Sequence, residues 1–318
     1  MKRAEFIAHN EGTWQRLEHL LDGLSSFHWQ RPEGLEELPE LYRATCHHLA
    51  LVRQRHLGPD LESRLHELTL RGARHLYRDR SGQGLKLFEF FFRDFPRRVR
   101  AEWKLFALAN FLFYGPALAV GIAVLTEPSS LYSVFSPDNV ALFEAMYSPG
   151  ERERGLDGDL QMFGLYIQNN IGIGFRTFAS GLLAGLGSVF FLVLNGLILG
   201  GLAAHLTVEG HGEQFWTFVI AHCAFEITAL ILAGAAGLKL GFTLLAPGRR
   251  TRNQALREVA RPLSELVLGM AAMLVVAAIV EAFWSFRQFE PQVKYGVGAA
   301  CWIVVAAYLG LSGLRRGS

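Results

Sequence analysis

The sequence predicts an all-α, polytopic membrane helix bundle of about six spans, preceded by a cytoplasmic helical domain. The 318 residues are 51% hydrophobic, which is more apolar than an ordinary soluble domain. Nearly every long apolar run follows Leu105, and each has about the 20 residues that a helix needs to cross a bilayer. We therefore expect a cytoplasmic domain at 1–84, an interfacial segment at 85–104 and a membrane domain at 105–318.

The N-terminal domain shows helical periodicity in three stretches, 6–24, 35–54 and 61–77, where apolar residues recur three and four positions apart. The first residues lack the apolar core and cleavage site of a signal peptide, so we expect this domain to stay in the cytoplasm. The net charge of +2 gives no reason to invoke nucleic acid. The three cysteines form no CxxC pair, so neither a disulfide framework nor a thiolate zinc site is predicted.

The membrane domain contains six candidate spans. They are 105–125, 161–179, 182–204, 215–246, 263–286 and 296–314. The fourth is long enough to tilt, or to break near Gly234 and Gly237. The turn at 178–181 is very short, so a re-entrant or broken helix is an alternative there.

The distribution of basic residues predicts the orientation. The 1–104 region, the stretch 247–262 and the C-terminus are rich in arginine, whereas the other loops hold only Arg152, Arg154, Arg287 and Lys294. By the positive-inside rule, both termini face the cytoplasm of a bacterial inner membrane. Arg176 then lies at the cytoplasmic end of the second span, where its side chain can reach the headgroups.

The segment LKLFEFFFRDFPRRVRAEWK places aromatic and basic residues directly before the first span. Such a composition favours a helix lying against anionic headgroups. Its anchoring residues, together with Arg176, would be Phe91, Arg93, Phe95, Arg97, Arg98 and Arg100. The alternative is that the phenylalanines pack onto the cytoplasmic domain.

Six polar residues fall inside the predicted spans. This polar set comprises Asn169, Asn170, Asn195, His222, Glu226 and Glu281. A charge at mid-bilayer costs about 2.5–3.5 kcal/mol on insertion scales. We therefore expect these side chains to face one another or a water-filled cavity.

Glycines with small-xxx-small spacing accompany the polar set. They are Gly172, Gly174, Gly181, Gly185, Gly196 and Gly200. Such spacing lets helix backbones approach closely, either within a bundle or across a homodimer.

Four stretches in this order, YIQNNIGIGFRTFASG, VLNGLILG, FVIAHCAFEITAL and VVAAIVEAFWS, resemble the stage II sporulation protein M family. FIAHNEGTWQRLEHLL and FFFRDFPRRVRA are similar to its longer, non-sporulation branch. The family pattern falls on Asn169, Asn170, Phe175, Phe178, Gly181, Asn195, Gly196, His222, Glu226 and Glu281, and Cys223 replaces the glycine usual after the histidine. The resemblance implies a cell-envelope complex with other membrane proteins and a MoxR-type AAA+ ATPase, and it implies no reaction and no cofactor.

Four functions fit these observations. The favoured one is structural, with the polar set cross-linking the bundle. A transporter or channel for protons, ions or a small solute is the main alternative. A metal-dependent intramembrane hydrolase would use His222, Glu226 and Glu281 as ligands, although no HExxH motif is present. Lipid recognition through 85–104 is the fourth.

Overall fold

The computed structural model describes residues 3–25, 34–76, 80–147 and 155–314. Regular structure in these ranges is entirely helical, which confirms the all-α prediction. The chain forms two compact units, Met1–Leu87 and Phe88–Ser318, which are treated separately below. Six arginines used to predict the orientation lie outside the described residues: Arg31, Arg78, Arg152, Arg154, Arg315 and Arg316.

The first unit contains three helices that confirm the periodicity of the sequence: α1 (Arg3–Ser25), α2 (Leu38–Arg55) and α3 (Pro59–Leu76). Proline in the first turn of α2 presets the helical backbone without losing a helix hydrogen bond. Apolar side chains from all three helices form one core. Its largest fully buried members are Trp14, Leu17, Leu20, Leu21 and Leu65.

Ten further α-helices follow the first three. They are α4 (Arg80–Glu89), α5 (Phe95–Ala101), α6 (Trp103–Thr126), α7 (Pro137–Tyr147), α8 (Leu156–Ala179), α9 (Leu186–Val208), α10 (Gly212–Val219), α11 (Cys223–Leu245), α12 (Arg252–Val280) and α13 (Pro291–Leu311). A π-helical turn, Phe90–Asp94, links α4 to α5. A second π-helical turn, Glu281–Ser285, continues α12. Helix α12 begins with a capping box between Thr251 and Gln254.

Five helices among the described residues are long and apolar enough to cross a membrane: α6, α9, α11, α13 and α12 with its π turn. The remaining predicted span, 161–179, corresponds to α8, which is not among the five because it carries Asp157, Asp159, Asn169, Asn170 and Arg176. Helix α8 nevertheless packs against α9, α11 and α12. Its 24 residues extend ~36 Å, about the thickness of a bilayer. That α8 also spans the membrane stays a prediction, as does the orientation.

Helix α11 is the centre of the second unit. In its most apolar stretch 72% of the residues are buried, against 28% or less in α6, α9 and α13. The expected break near Gly234 and Gly237 is wrong, because α11 is continuous there. The interruption lies earlier, at 220–222 between α10 and α11. Gly234 and Gly237 instead make room for neighbours, since a Cβ at either would overlap Leu192 or Ser188.

The glycine pairs of the sequence pack within one chain. A Cβ on Gly181 would overlap the carbonyl group of Gly237 on α11. Gly196 and Gly200 similarly lie against the backbone of α6, where added Cβ atoms would overlap the carbonyl oxygens of Phe113 and Ala117. These contacts show that the spacing of the glycines serves helix packing within the bundle. The glycines therefore give no support for a homodimer.

The remaining predicted glycines have different surroundings. Gly185 adopts a left-handed conformation, with φ of 85°, directly before α9. Gly174 faces α12, where a Cβ would press on Leu274 and Met270, whereas Gly172 meets only Arg176 of its own helix. Close helix approach therefore explains Gly174 but not Gly172.

The predicted interfacial segment is joined to the C-terminal end of α13. Phe95 is fully buried against Gly269 of α12, so it does not anchor an outer surface as predicted. Arg97 donates a hydrogen bond to the Gly313 carbonyl, and Arg100 donates to those of Leu309 and Ser312. Arginine is a favourable partner for the unpaired carbonyl groups at a helix C-terminus.

Other members of this segment are less enclosed. Phe88 and Phe92 stack at the surface with ring centroids 4.4 Å apart, and both are more than half exposed. The backbone carbonyl of Phe91 accepts a hydrogen bond from Tyr308, at 2.6 Å. Arg98 pairs with Glu265 at 2.9 Å, and Arg93 is exposed. Headgroup binding by these residues stays a prediction.

Candidate functional site

Two departures from regular α-helix meet inside the second unit. One is the break at 220–222, which leaves His222 just before α11 with 3% of its surface exposed. The other is the π turn Glu281–Ser285. His222 Nδ1 lies 2.9 Å from Ser285 Oγ, which places the break and the turn side by side. Single π turns and broken helices are frequent at functional sites in helical proteins.

Helix α13 reaches the same place through Lys294. Its Nζ atom donates a hydrogen bond to the backbone carbonyl of Ser285, at 2.6 Å, and the side chain is buried. The π turn disturbs the usual hydrogen-bond ladder, so its carbonyl groups can accept from a side chain. A positive charge is thereby held against the end of the turn.

The double asparagine contributes one buried and one exposed side chain. Asn170 is 4% exposed and donates a hydrogen bond to Glu281 Oε2, at 3.4 Å. Asn169 is exposed and donates to Asn170 Oδ1, at 3.3 Å. Adjacent residues on a helix point about 100° apart, so only one of the two faces the bundle. Asn169 therefore supports Asn170 from the side.

Five residues from α8, the break before α11, the π turn after α12 and α13 thus form one group, which we call the polar junction: Asn170, His222, Glu281, Ser285 and Lys294. Asn195 of the predicted polar set is not part of it. Its Nδ2 donates to the Phe191 carbonyl of its own helix, at 2.8 Å. The structure describes no hydrogen bond between Asn195 and the other five predicted residues.

His222 also faces Glu226, one helical turn away. The Nε2 and Oε2 atoms are 3.8 Å apart. Cys223 lies beside them, and the three potential ligand atoms are all within 4.8 Å of one another. Glu281 instead accepts a hydrogen bond from Asn170. The structure therefore groups Cys223 with His222 and Glu226, whereas the predicted metal ligands are His222, Glu226 and Glu281.

Aromatic rings cover the histidine on one side. Phe218 of α10 meets His222 edge-on, with centroids 5.3 Å apart, and Tyr147 of α7 packs on Phe218 at 6.2 Å. Burial raises the pKa of Tyr147 above its usual range, so its hydroxyl group stays protonated. This wall is apolar and limits access of water to His222.

Sequence reasoning missed Ser285, Lys294 and the role of Cys223. Ser285 follows Glu281 by four residues, a spacing that could have identified it. Lys294 was assigned to a loop because the last span was predicted to begin at 296, whereas α13 begins at Pro291. For Cys223 the sequence showed only that it replaces a glycine of the family pattern.

Several further polar pairs lie outside the junction. His205 has its Nε2 atom 2.8 Å from Glu144 Oε1. Asp159 pairs with Arg287, and Lys239 of α11 pairs with Glu102. These pairs satisfy charges that burial would otherwise penalise.

The sequence model of the family described as stage II sporulation protein M matches residues 110–286, which is more than half of the chain. The chain belongs to the stage II sporulation protein M family. A second family model, a domain of unknown function (DUF8413), matches residues 4–78. No curated protein and no solved structure matches the chain.

The match to the stage II sporulation protein M family covers the whole predicted polar set. It also covers Ser285 and Cys223, but it ends before α13. Lys294 therefore joins the polar junction from outside the region that defines the family. In this family member the junction combines a carboxylate, an imidazole, an amide and an ammonium group, which can bind an ion, carry protons or lock helices together.

Proposed function

We propose that this stage II sporulation protein M family member is a structural subunit of a cell-envelope complex, in which the polar junction holds the membrane helices in register. The observation that supports this function is the π turn Glu281–Ser285, whose residues meet Asn170 of α8, His222 before α11 and Lys294 of α13. One short turn therefore connects three other parts of the bundle.

The strength of these contacts suits positioning better than bulk stability. Helices in lipid gain little from apolar burial, since lipid tails are as apolar as leucine. Interhelical hydrogen bonds average about 0.6 kcal/mol each, so three of them supply only a modest free energy. Their directions, however, define one relative rotation of the helices. A subunit that presents a fixed surface to partners needs its helices held in one relative rotation.

The location and partners follow from sequence arguments. We place the protein in the bacterial inner membrane with both termini in the cytoplasm, on the basis of its arginine distribution. The family resemblance suggests a MoxR-type AAA+ ATPase and other envelope membrane proteins as partners. A homodimer stays a prediction without support from the glycines.

Isolation of the complex tests this function. The full chain, tagged and produced at its native level, is extracted in mild detergent and analysed by native mass spectrometry beside a tagged membrane protein of unrelated family. We expect the MoxR-type ATPase or another envelope protein at a defined stoichiometry with this chain only. Asn170→Leu should reduce the recovered complex, whereas Asn195→Leu should not. A chain that always migrates alone would contradict the proposal.

Transport is the second candidate function, because a specific observation favours it. Glu226 lies beside the helix break, and no hydrogen bond to its carboxylate is found among the described residues. A broken membrane helix with a carboxylate next to the break is typical of ion and proton sites.

Proton and cation flux into proteoliposomes distinguishes the two functions. Glu226→Gln and Glu281→Gln should abolish flux in a transporter, with the exposed Glu209→Gln as the control, and flux indifferent to both variants rules transport out.

A further inference from the structure

The first turn of α11 presents three different metal-ligand types to one point. His222 offers Nε2, Cys223 offers Sγ and Glu226 offers a carboxylate oxygen, all within 4.8 Å of one another. We propose that these three residues bind a transition metal ion, and that the donor set selects Zn²⁺. The carboxylate of this site is Glu226, whereas the carboxylate of the polar junction is Glu281. The proposal therefore goes beyond the structural function proposed above.

The distances match a zinc site closely. Tetrahedral ligands at about 2.0–2.3 Å from zinc lie roughly 3.3–3.7 Å from one another. His222 Nε2 and Glu226 Oε2 are already 3.8 Å apart. The sulfur atom has to approach by about 1 Å or less, which a side-chain rotation of Cys223 can supply.

The imidazole is already oriented as a ligand. Its Nδ1 atom lies 2.9 Å from Ser285 Oγ on the π turn, so the opposite nitrogen, Nε2, points toward Glu226. Metal-binding histidines almost always use their second nitrogen in a hydrogen bond, which fixes the orientation of the ring. Ser285 would act here as a positioning residue, and the neighbouring Lys294 is occupied by the Ser285 carbonyl group.

Charge balance also favours a divalent ion at this position. A thiolate from Cys223 and a carboxylate from Glu226 together carry two negative charges, which Zn²⁺ neutralises, and neutral His222 adds none. A neutral site costs far less in a membrane than an isolated carboxylate. The ion would also satisfy Glu226, for which the described residues supply no hydrogen-bond donor.

The chemistry of the donors narrows the metal. Thiolate together with imidazole suits zinc and similar late transition metals, whereas Mg²⁺ and Ca²⁺ prefer oxygen ligands. Three protein ligands leave the fourth tetrahedral position open for water or a substrate group. Such a site suits either a structural ion or an ion that activates a water molecule. Our proposal concerns the binding of the ion.

The test uses the full chain purified in detergent without chelators. Elemental analysis should find about one zinc ion per chain. After removal of the metal and reloading with Co²⁺, a thiolate-to-cobalt charge-transfer band should appear in the near ultraviolet. Cys223→Ser should abolish that band, and His222→Gln or Glu226→Gln should weaken Co²⁺ binding at least ten-fold. Ser285→Ala, which removes the orienting hydrogen bond, should weaken it about 10–100-fold.

Cys301→Ser is the matched control, because Cys301 is also a half-buried cysteine of a membrane helix but belongs to no such ligand group among the described residues. It should retain the band and the stoichiometry. Alkylation provides a second measurement on the unmodified chain: Zn²⁺ should protect Cys223 from maleimide and leave the rate at Cys301 unchanged. A band that persists in Cys223→Ser, or a wild-type chain that neither binds cobalt nor shows zinc protection, overturns the proposal.

Discussion

The two units of this protein place polar and apolar residues in opposite positions. In the first unit, Trp14 and Leu17 are fully buried, while Arg16 and Glu37 form an ion pair at the surface. In the second unit, Phe111 is 71% exposed and Leu186 is 72% exposed. His222 and Glu281, in contrast, are less than 10% exposed. A lipid environment makes the second pattern favourable, whereas the first is typical of a domain in water.

The difference shows that the two units hold their helices together by different forces. Apolar burial supplies the free energy in the first unit, at about 25 cal/mol per Å² removed from water. In the second unit, burial in protein and exposure to lipid are nearly equivalent for a leucine. Close backbone contacts at glycines and a few polar contacts must therefore select the arrangement. Four predictions, in decreasing order of effect, test this contrast.

Gly181→Leu should have the largest effect, because its side chain must displace the backbone of α11 at Gly237. We expect a loss of more than about 3 kcal/mol, seen as a large fall in Tm or a failure to recover folded protein from detergent. Gly296→Leu is the control, since a Cβ there meets no atom within 4 Å. Equal stability of the two variants would show that small residues do not organise this bundle.

Asn170→Ala should have an intermediate effect, about 1–2 kcal/mol, because it removes a hydrogen-bond donor from buried Glu281. Asn195→Ala removes a bond within one helix and should cost less than about 0.5 kcal/mol. Thermal unfolding of both variants in the same detergent gives the comparison. If the Asn195 variant proves the less stable of the two, the polar junction is not the main polar contact of the bundle.

The first unit should lose stability in mild acid through His48. Trp14 Nε1 donates a hydrogen bond to His48 Nδ1, at 3.1 Å, which requires that nitrogen to be unprotonated. Burial, followed by the nearby His47 and His9, lowers the pKa of His48 below its usual value. As the pH falls below about 6.5, the unfolded chain therefore binds the proton more readily than the folded chain, and stability decreases.

Hydrogen exchange of α1 and α2, measured between about pH 7.5 and 5 and corrected for intrinsic rates, reports this change. His48→Gln should flatten the pH dependence, whereas His19→Gln, at an exposed position of α1, should preserve it. A pH dependence unaffected by His48→Gln would assign the acid sensitivity to another group.

Arg53→Ala should have the smallest effect. The ion pair of Arg53 with Glu62 is 2.9 Å long, but both side chains are more than 40% exposed. Water screens such a pair, so the variant should stay within about 0.5 kcal/mol of the original chain. The measurement is hydrogen exchange in α2 and α3. A loss above about 1 kcal/mol would mean that surface charge, and not only apolar burial, stabilises the first unit.

Much of the fold could be predicted because helical periodicity and apolar run length are local properties. The three helices of the first unit and five of the spans were identified from them. Helix α8 was harder to assign because its polar residues lower its hydropathy while its length suits a span. The break at 220–222 was misplaced, since glycines inside α11 resemble breakpoints but are packing positions.

The candidate site was only partly predictable, because its contacts join residues far apart in the chain. The spans predicted a common depth for Asn170, His222 and Glu281, but they did not predict the pairing of Asn170 with Glu281. Asn195 lies at a comparable position in its helix and points elsewhere. The sequence did not identify Lys294 as a site residue, because a single lysine near a proline is typical of a loop.

By itself, the sequence determined the helical class, the separation into a water-type and a lipid-type region and the family of the chain. Each depends on composition or on spacing along one helix, where neighbours are set by the helical repeat. The tertiary structure alone decided which polar residues meet, that the glycines pack inside one chain and that Cys223 joins His222 and Glu226. Those contacts depend on the rotation and register of packed helices, which no local pattern specifies.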